Sequence, residues 1–216
     1  MADPKKPFFI GLNRAMISLG PLNQERYCPY KCAFCYVQSD EWGRYAQCSV
    51  EEILAFLRKE RSNYKVIYIS GDTDSFAPPR TKKALSLLRS LLEFNVDVTI
   101  TTRYVFNEKE LNELEDIFKE YQNKGLVLSV SISIPRLYSA DHLESINTPS
   151  PQDRIKFLKE LKLRGIWTML AMRPLLPVIK LDEYKQLILQ CKDHVDAVLG
   201  EVWYVDHQGL VERRVL

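Results

Sequence analysis

The chain has 216 residues, 46% of them hydrophobic and 27% charged, and a formal net charge of +2. That is long enough for one sizeable core in a single domain spanning 1–216, and the charge is too small to argue by itself for a nucleic-acid or membrane partner. No apolar run approaches the ~18 residues of a spanning helix, and the opening Met1-Ala-Asp-Pro-Lys-Lys-Pro7 lacks an apolar signal core, so a reducing cytoplasm is the expected setting.

In chain order, residues 8–20 begin Phe-Phe-Ile and continue Ala15-Met-Ile-Ser-Leu-Gly20, the second run reading as a buried strand that leads into a cysteine-rich loop. Tyr45 to Ser49 closes that loop. Ser49 suits a helix N-cap, with Glu51 and Glu52 at the positive dipole end and Ile53, Leu54, Phe56 and Leu57 on the apolar face. Val66 to Ser70 is β-branched and aromatic and reads as a strand ending in Gly71-Asp-Thr-Asp74. A helix is expected over Arg80 to Phe94, with Arg80, Lys82, Lys83 and Arg89 on a solvated face. A strand follows from Val96 to Thr101, then a helix capped by Asn107 and stopped at Gly125. Leu126 to Ile134 is a strand with Ser129, Ser131 and Ser133 at alternate positions, which puts them on one face. Ser150 and Pro151 open a helix that Gly165 ends. Trp167 to Met172 is a strand broken at Arg173-Pro174, Leu181 to Lys192 a helix, and Ala197 to Tyr204 a last strand. Strands alternating with helices of ~10–15 residues imply parallel βαβ units. Roughly six such units are fewer than the eight of a closed barrel, so the expected fold is α/β, a partial (β/α)6 TIM-like barrel with a parallel sheet.

In such folds the chemistry sits at the carboxyl ends of strands. That rule nominates the cysteine loop, Gly71–Asp74, Arg103, the end of the serine strand and Arg173. The loop reads Cys28-Pro-Tyr-Lys-Cys32-Ala-Phe-Cys35-Tyr36, so three of five cysteines lie within eight residues, spaced C-x3-C-x2-C. Short thiolate runs of this kind hold iron–sulfur clusters. A cubane cluster usually takes about four thiolates, and three leave one iron open to a small molecule binding through N and O atoms. Zinc is the main alternative, but its usual second ligand pair has no counterpart, since His142, His194 and His207 are scattered. A disulfide framework is disfavoured by the odd count and the absence of secretory features. Cys191 shares a stripe with Leu181, Tyr184, Leu187 and Ile188 and reads as a buried structural thiol. Cys48, just past the loop, reads as a spare thiol or as a hydrogen donor to a product radical.

With Phe34 before the last cysteine and Tyr36 after it, the motif resembles the signature of the radical S-adenosylmethionine superfamily. The resemblance implies a [4Fe-4S] cluster on Cys28, Cys32 and Cys35 whose open iron chelates S-adenosylmethionine. Electron transfer then cleaves the sulfonium to a 5′-deoxyadenosyl radical that abstracts hydrogen from a substrate. A partial barrel of six units is also that family's fold. Within the superfamily the chain looks most like the spore photoproduct lyase-like branch, from about Tyr27 to about Pro177, through Cys35-Tyr-Val-Gln38, Val50-Glu-Glu-Ile-Leu54, Thr102-Arg103-Tyr104, Ser131-Ile132-Ser133, the Pro149–Arg154 helix start and Gly165.

Carried over residue by residue, the resemblance puts the Tyr36 backbone against the adenine. Gly71–Asp74 stands where Gly-Gly-Glu often receives the methionine amino group, so the acceptor is Asp72, Asp74 or a backbone carbonyl. Arg103 pairs the methionine carboxylate, and Ser131 or Ser133 reaches the ribose. Arg173 clamps an anionic substrate or forms an ordinary ion pair. Gly71 stands where the photoproduct lyase has its radical-quenching cysteine, and little chain remains beyond the sixth strand for gripping a DNA lesion. The expected partners are therefore a small-molecule, nucleotide or peptide substrate, an external electron donor and a protein closing the open barrel, with duplex DNA disfavoured and no membrane. Two alternatives stay open: DNA-lesion repair with an altered hydrogen donor, and a non-enzymatic zinc-binding interaction module.

Overall fold

A computed structural model describes residues 8–19, 28–38 and 48–216. The readings placed on Met1–Pro7, Gly20 and Tyr45 lie outside the described residues. Among the described residues seven strands form one sheet, in the order β1-β2-β3-β4-β5-β6-β7. They are β1 (Phe8–Gly11), β2 (Arg14–Ile17), β3 (Val66–Ile69), β4 (Asp97–Thr102), β5 (Leu128–Ser133), β6 (Trp167–Met172) and β7 (Ala197–Gly200). The helices are α1 (Val50–Lys59), α2 (Thr81–Ser90), α3 (Glu108–Asn123), α4 (Pro151–Leu163), α5 (Leu181–Cys191) and α6 (Leu210–Val215). The pairs β2–β3, β3–β4 and β6–β7 are parallel. The α/β fold with a mostly parallel, unclosed sheet is the one expected. Among the described residues no helix is long and apolar enough to cross a membrane.

Contacts divide the described chain into two compact units. The first comprises 8–19, 28–29, 48–102 and 106–130. It holds the one departure in strand count: Phe8–Gly11 pairs antiparallel with Arg14–Ile17. The turn between them is Leu12-Asn13, with φ of 50° and 62°, the left-handed geometry that a two-residue hairpin needs. Leu-Asn is a poor signature for such a turn, so β1 had no sequence signal. Capping boxes start α1 (Ser49 with Glu52) and α3 (Asn107 with Glu110). The helix expected from Arg80 to Phe94 is α2 followed by a 3-10 turn over Leu91–Phe94. Arg80 is a correction. It lies buried, not on the solvated face, and donates to the Leu19 carbonyl at 2.9 Å and the Asp74 carbonyl at 2.9 Å. Ile67, Ile69, Leu85, Leu88, Ile100 and Leu114 fill this unit's core.

The second unit comprises 30–38, 103–105 and 131–216. Its α4 begins at the Ser150 cap with Pro151 in the first turn and ends at Gly165 (φ 75°). Ile132, Leu158, Leu161, Leu170, Leu187 and Cys191 are fully buried in it. Cys191 is the structural thiol expected, and burial pushes its pKa up to about 12. Leu181 does not share its stripe; it is exposed, and Glu183 takes a buried position on α5 instead. The last strand is shorter than expected, with α6 following it.

Candidate cofactor site

In the second unit the cysteine loop is fastened by its backbone. Ala33 N–H donates to the Leu143 carbonyl at 2.8 Å, and Cys35 N–H to the Cys32 carbonyl at 3.1 Å. Arg214, on α6, donates to the Cys35 carbonyl at 3.1 Å. Tyr36 opens a 3-10 turn, and its ring meets the edge of Tyr204 at 5.6 Å. Cys32 is buried and Cys35 half-buried; Cys28, in the first unit, is also half-buried. Among the described residues no three His, Cys, Asp or Glu side chains are gathered closely enough to hold a metal ion. The C-x3-C-x2-C spacing is what points to these three as cluster ligands.

Beside that loop the Arg103 guanidinium lies over the Phe34 ring, 5.4 Å from its centroid. Arg103 Nη2 donates to the Arg173 carbonyl at 3.1 Å, and Ser133 Oγ donates to the same carbonyl at 3.3 Å. Arg103 Nε stands 3.4 Å from Glu144 Oε1. Glu144 is buried and holds a two-point pair with the fully buried Arg154, at 2.9 and 2.6 Å. Arg136 Nε approaches the same carboxylate at 3.2 Å. Ser131 Oγ is buried without a hydrogen-bond partner. Arg173 pairs with Glu201, the ordinary ion pair that was one of its two readings.

In the first unit Asp74 is buried in the turn after β3. Its carboxylate accepts from the Thr102 hydroxyl at 2.8 and 3.0 Å and from the N–H groups of Phe76 and Ala77 at 3.2 Å. Asp74 thus frames the turn. Ser70, just before it, has a φ of 71° and accepts from Ser75 N–H at 3.0 Å. Asp72 is half-buried in the same turn. A Cβ on Gly71 would stand 2.7 Å from Met16 Cε, so a cysteine there would need that flexible tip to move. Cys48 is buried, and its Sγ donates to the Ser49 carbonyl at 3.4 Å.

A family model described as the radical SAM superfamily matches residues 25–191, most of the chain and the whole cysteine motif. The chain belongs to that superfamily. Radical SAM proteins use a [4Fe-4S] cluster and S-adenosylmethionine, and these are its cofactors. No curated protein matches the chain. Among solved structures, the radical S-adenosylmethionine methyltransferase TsrM from Kitasatospora setae, with tryptophan substrate and a SAM analogue bound, is similar at a TM-score of 0.55 and 14% identity. That match covers 81% of this chain and 34% of that one. The same methyltransferase with cobalamin and [4Fe-4S] cluster bound gives a TM-score of 0.55 at 15% identity, covering 88% and 34%. This likeness is one of fold. The radical SAM chain described here spans about a third of the length of those relatives.

In donor chemistry the residues of the motif fit the cofactors. Thiolates are the donors a cluster takes, and the unpartnered buried hydroxyl of Ser131 is a polar atom left for a ligand. Glu144, Arg136 and Arg154 were missed from sequence. Their signal was a carboxylate just after Leu143, ten residues before Arg154, which falls on the buried side of α4.

Proposed function

We propose that this is a radical S-adenosylmethionine enzyme, one catalytic domain across 1–216, acting on a small-molecule, nucleotide or peptide substrate. The observation that carries the reading is the family match over residues 25–191, with Cys28, Cys32 and Cys35 inside it. These thiolates hold the cluster. When bound, the cofactor pair supplies one electron from an external donor to cleave S-adenosylmethionine and so furnishes a hydrogen-abstracting adenosyl radical.

The protein's own residues bind and orient. Asp72 or a backbone carbonyl of the Gly71–Asp74 turn accepts the methionine ammonium. Arg103 receives the methionine carboxylate in a charge-assisted hydrogen bond, held in place by its contact with the Arg173 carbonyl and by the Phe34 ring. Ser131 turns its buried hydroxyl to the ribose; Ser133 is the second candidate. The Tyr36 backbone lies against the adenine. Within the superfamily we place the chain beside the spore photoproduct lyase-like branch, on the Thr102-Arg103-Tyr104 and Ser131-Ile132-Ser133 stretches, with glycine at position 71 setting its substrate chemistry apart.

The test is anaerobic reconstitution with iron and sulfide, followed by reduction in the presence of S-adenosylmethionine. Wild type is expected to form 5′-deoxyadenosine and Cys32→Ala to lose it. Equal amounts from both would sink the reading.

A further inference from the structure

Three guanidinium groups, those of Arg103, Arg136 and Arg154, approach the single carboxylate of Glu144. They are not equivalent. Arg154 is fully buried and uses both carboxylate oxygens, so the Glu144–Arg154 pair is already neutral. Arg136 comes third to a carboxylate that is already taken. Its Nε lies 3.2 Å from Oε2 without the alignment of a hydrogen bond, buried with no hydrogen-bond partner, and its side chain is 12% exposed. A guanidinium this far out of water is costly unless an anion meets it.

We infer that Arg136 is the substrate's anion contact, so the substrate carries a carboxylate or phosphate group. This rests on the proposed function, in which Arg103 is assigned to the methionine carboxylate. An anion carried by the substrate then answers Arg136. Arg136 follows β5 closely, at the carboxyl end where α/β folds place their ligands. It shares Glu144 with Arg103, whose guanidinium lies over Phe34 of the cysteine loop. The planar fork of an arginine suits two-point recognition of either anion.

The test is calorimetric titration of the reconstituted protein, at fixed ionic strength, with inorganic phosphate and separately with acetate. At least one anion should bind saturably to wild type, and the preferred one names the substrate group. Arg136→Gln should weaken that binding at least about tenfold, and Arg136→Lys, which keeps the charge without the fork, should fall between. Lys156→Gln, on an exposed position, should match wild type. S-adenosylmethionine affinity should stay within about twofold in Arg136→Gln, unlike in Arg103→Gln. Should Arg136→Gln fail to fold, Arg136→Lys carries the comparison. Saturable binding that ignores both substitutions at Arg136, or no saturable binding to wild type, overturns the inference. Anion binding that depends on Arg136 in a protein that forms no 5′-deoxyadenosine would sink the proposed function alone.

Discussion

Glu144 has a structural duty that its neighbours make heavy. Arg154 is wholly buried, and besides its two contacts to Glu144 it donates to the Ser133 carbonyl at 2.5 Å. Glu144→Gln leaves that cation without a counter-ion, and removing one partner of a buried pair costs about 3–5 kcal/mol. Urea unfolding of the variant should report a loss of that size. Glu183 works differently. Burial alone would raise its pKa, but the Ser139 hydroxyl and the N–H groups of Tyr138, Leu137 and Ser139 all favour the carboxylate, and the net shift is downward from 4.5. A carboxyl whose folded pKa is lowered adds stability that is complete above its ordinary value and is lost as pH falls through the folded one. Unfolding free energies measured from pH 7 to 3 should therefore decline below about 4.5, and Glu183→Gln should be less stable at neutral pH with a shallower acid decline. These carboxylates were not legible in sequence. Each looks like a surface residue until tertiary structure supplies the donors that make its burial tolerable. Cys191 was legible, because its spacing from Tyr184 and Leu187 already put it inward.

At the scale of elements, the stops and starts of the helices were the readable part. Gly125 and Gly165 end α3 and α4 in the same way. At each, the glycine N–H and the next residue's N–H reach back to close the last turn: Leu126 to Tyr121 at 3.0 Å, and Ile166 to Leu161 at 3.1 Å. Both glycines have positive φ with open space where a Cβ would stand, so backbone conformation alone decides a substitution. Gly165→Ala should lower unfolding free energy by about 1–2 kcal/mol, read by chemical denaturation, without altering cofactor binding. The first hairpin was not readable. Leu12 takes a left-handed conformation that its side chain disfavours, and the turn is held by pairing from Phe8↔Ile17 to Gly11↔Arg14 rather than by turn chemistry. The early end of β7 was also hidden, since Val202 and Tyr204 continue its apolar composition yet stand exposed.

For the whole molecule, the alternation of strands and helices and the three-thiol motif led to one family by separate routes, since hydrophobic periodicity carries no information about thiol spacing. The family match over 25–191 joined them. The cluster of Arg103, Arg136 and Glu144 was not legible, because these residues lie on separate stretches that only the fold brings together. In the proposed function three thiolates hold a cluster with one iron open to S-adenosylmethionine. That is tested most directly by metal analysis of anaerobically reconstituted protein joined to electron paramagnetic resonance of its reduced form. About four irons with matching sulfide per chain are expected, with a resonance that changes when S-adenosylmethionine is added. Zinc without iron and sulfide, or a reduced cluster whose resonance ignores S-adenosylmethionine, would contradict the proposed function.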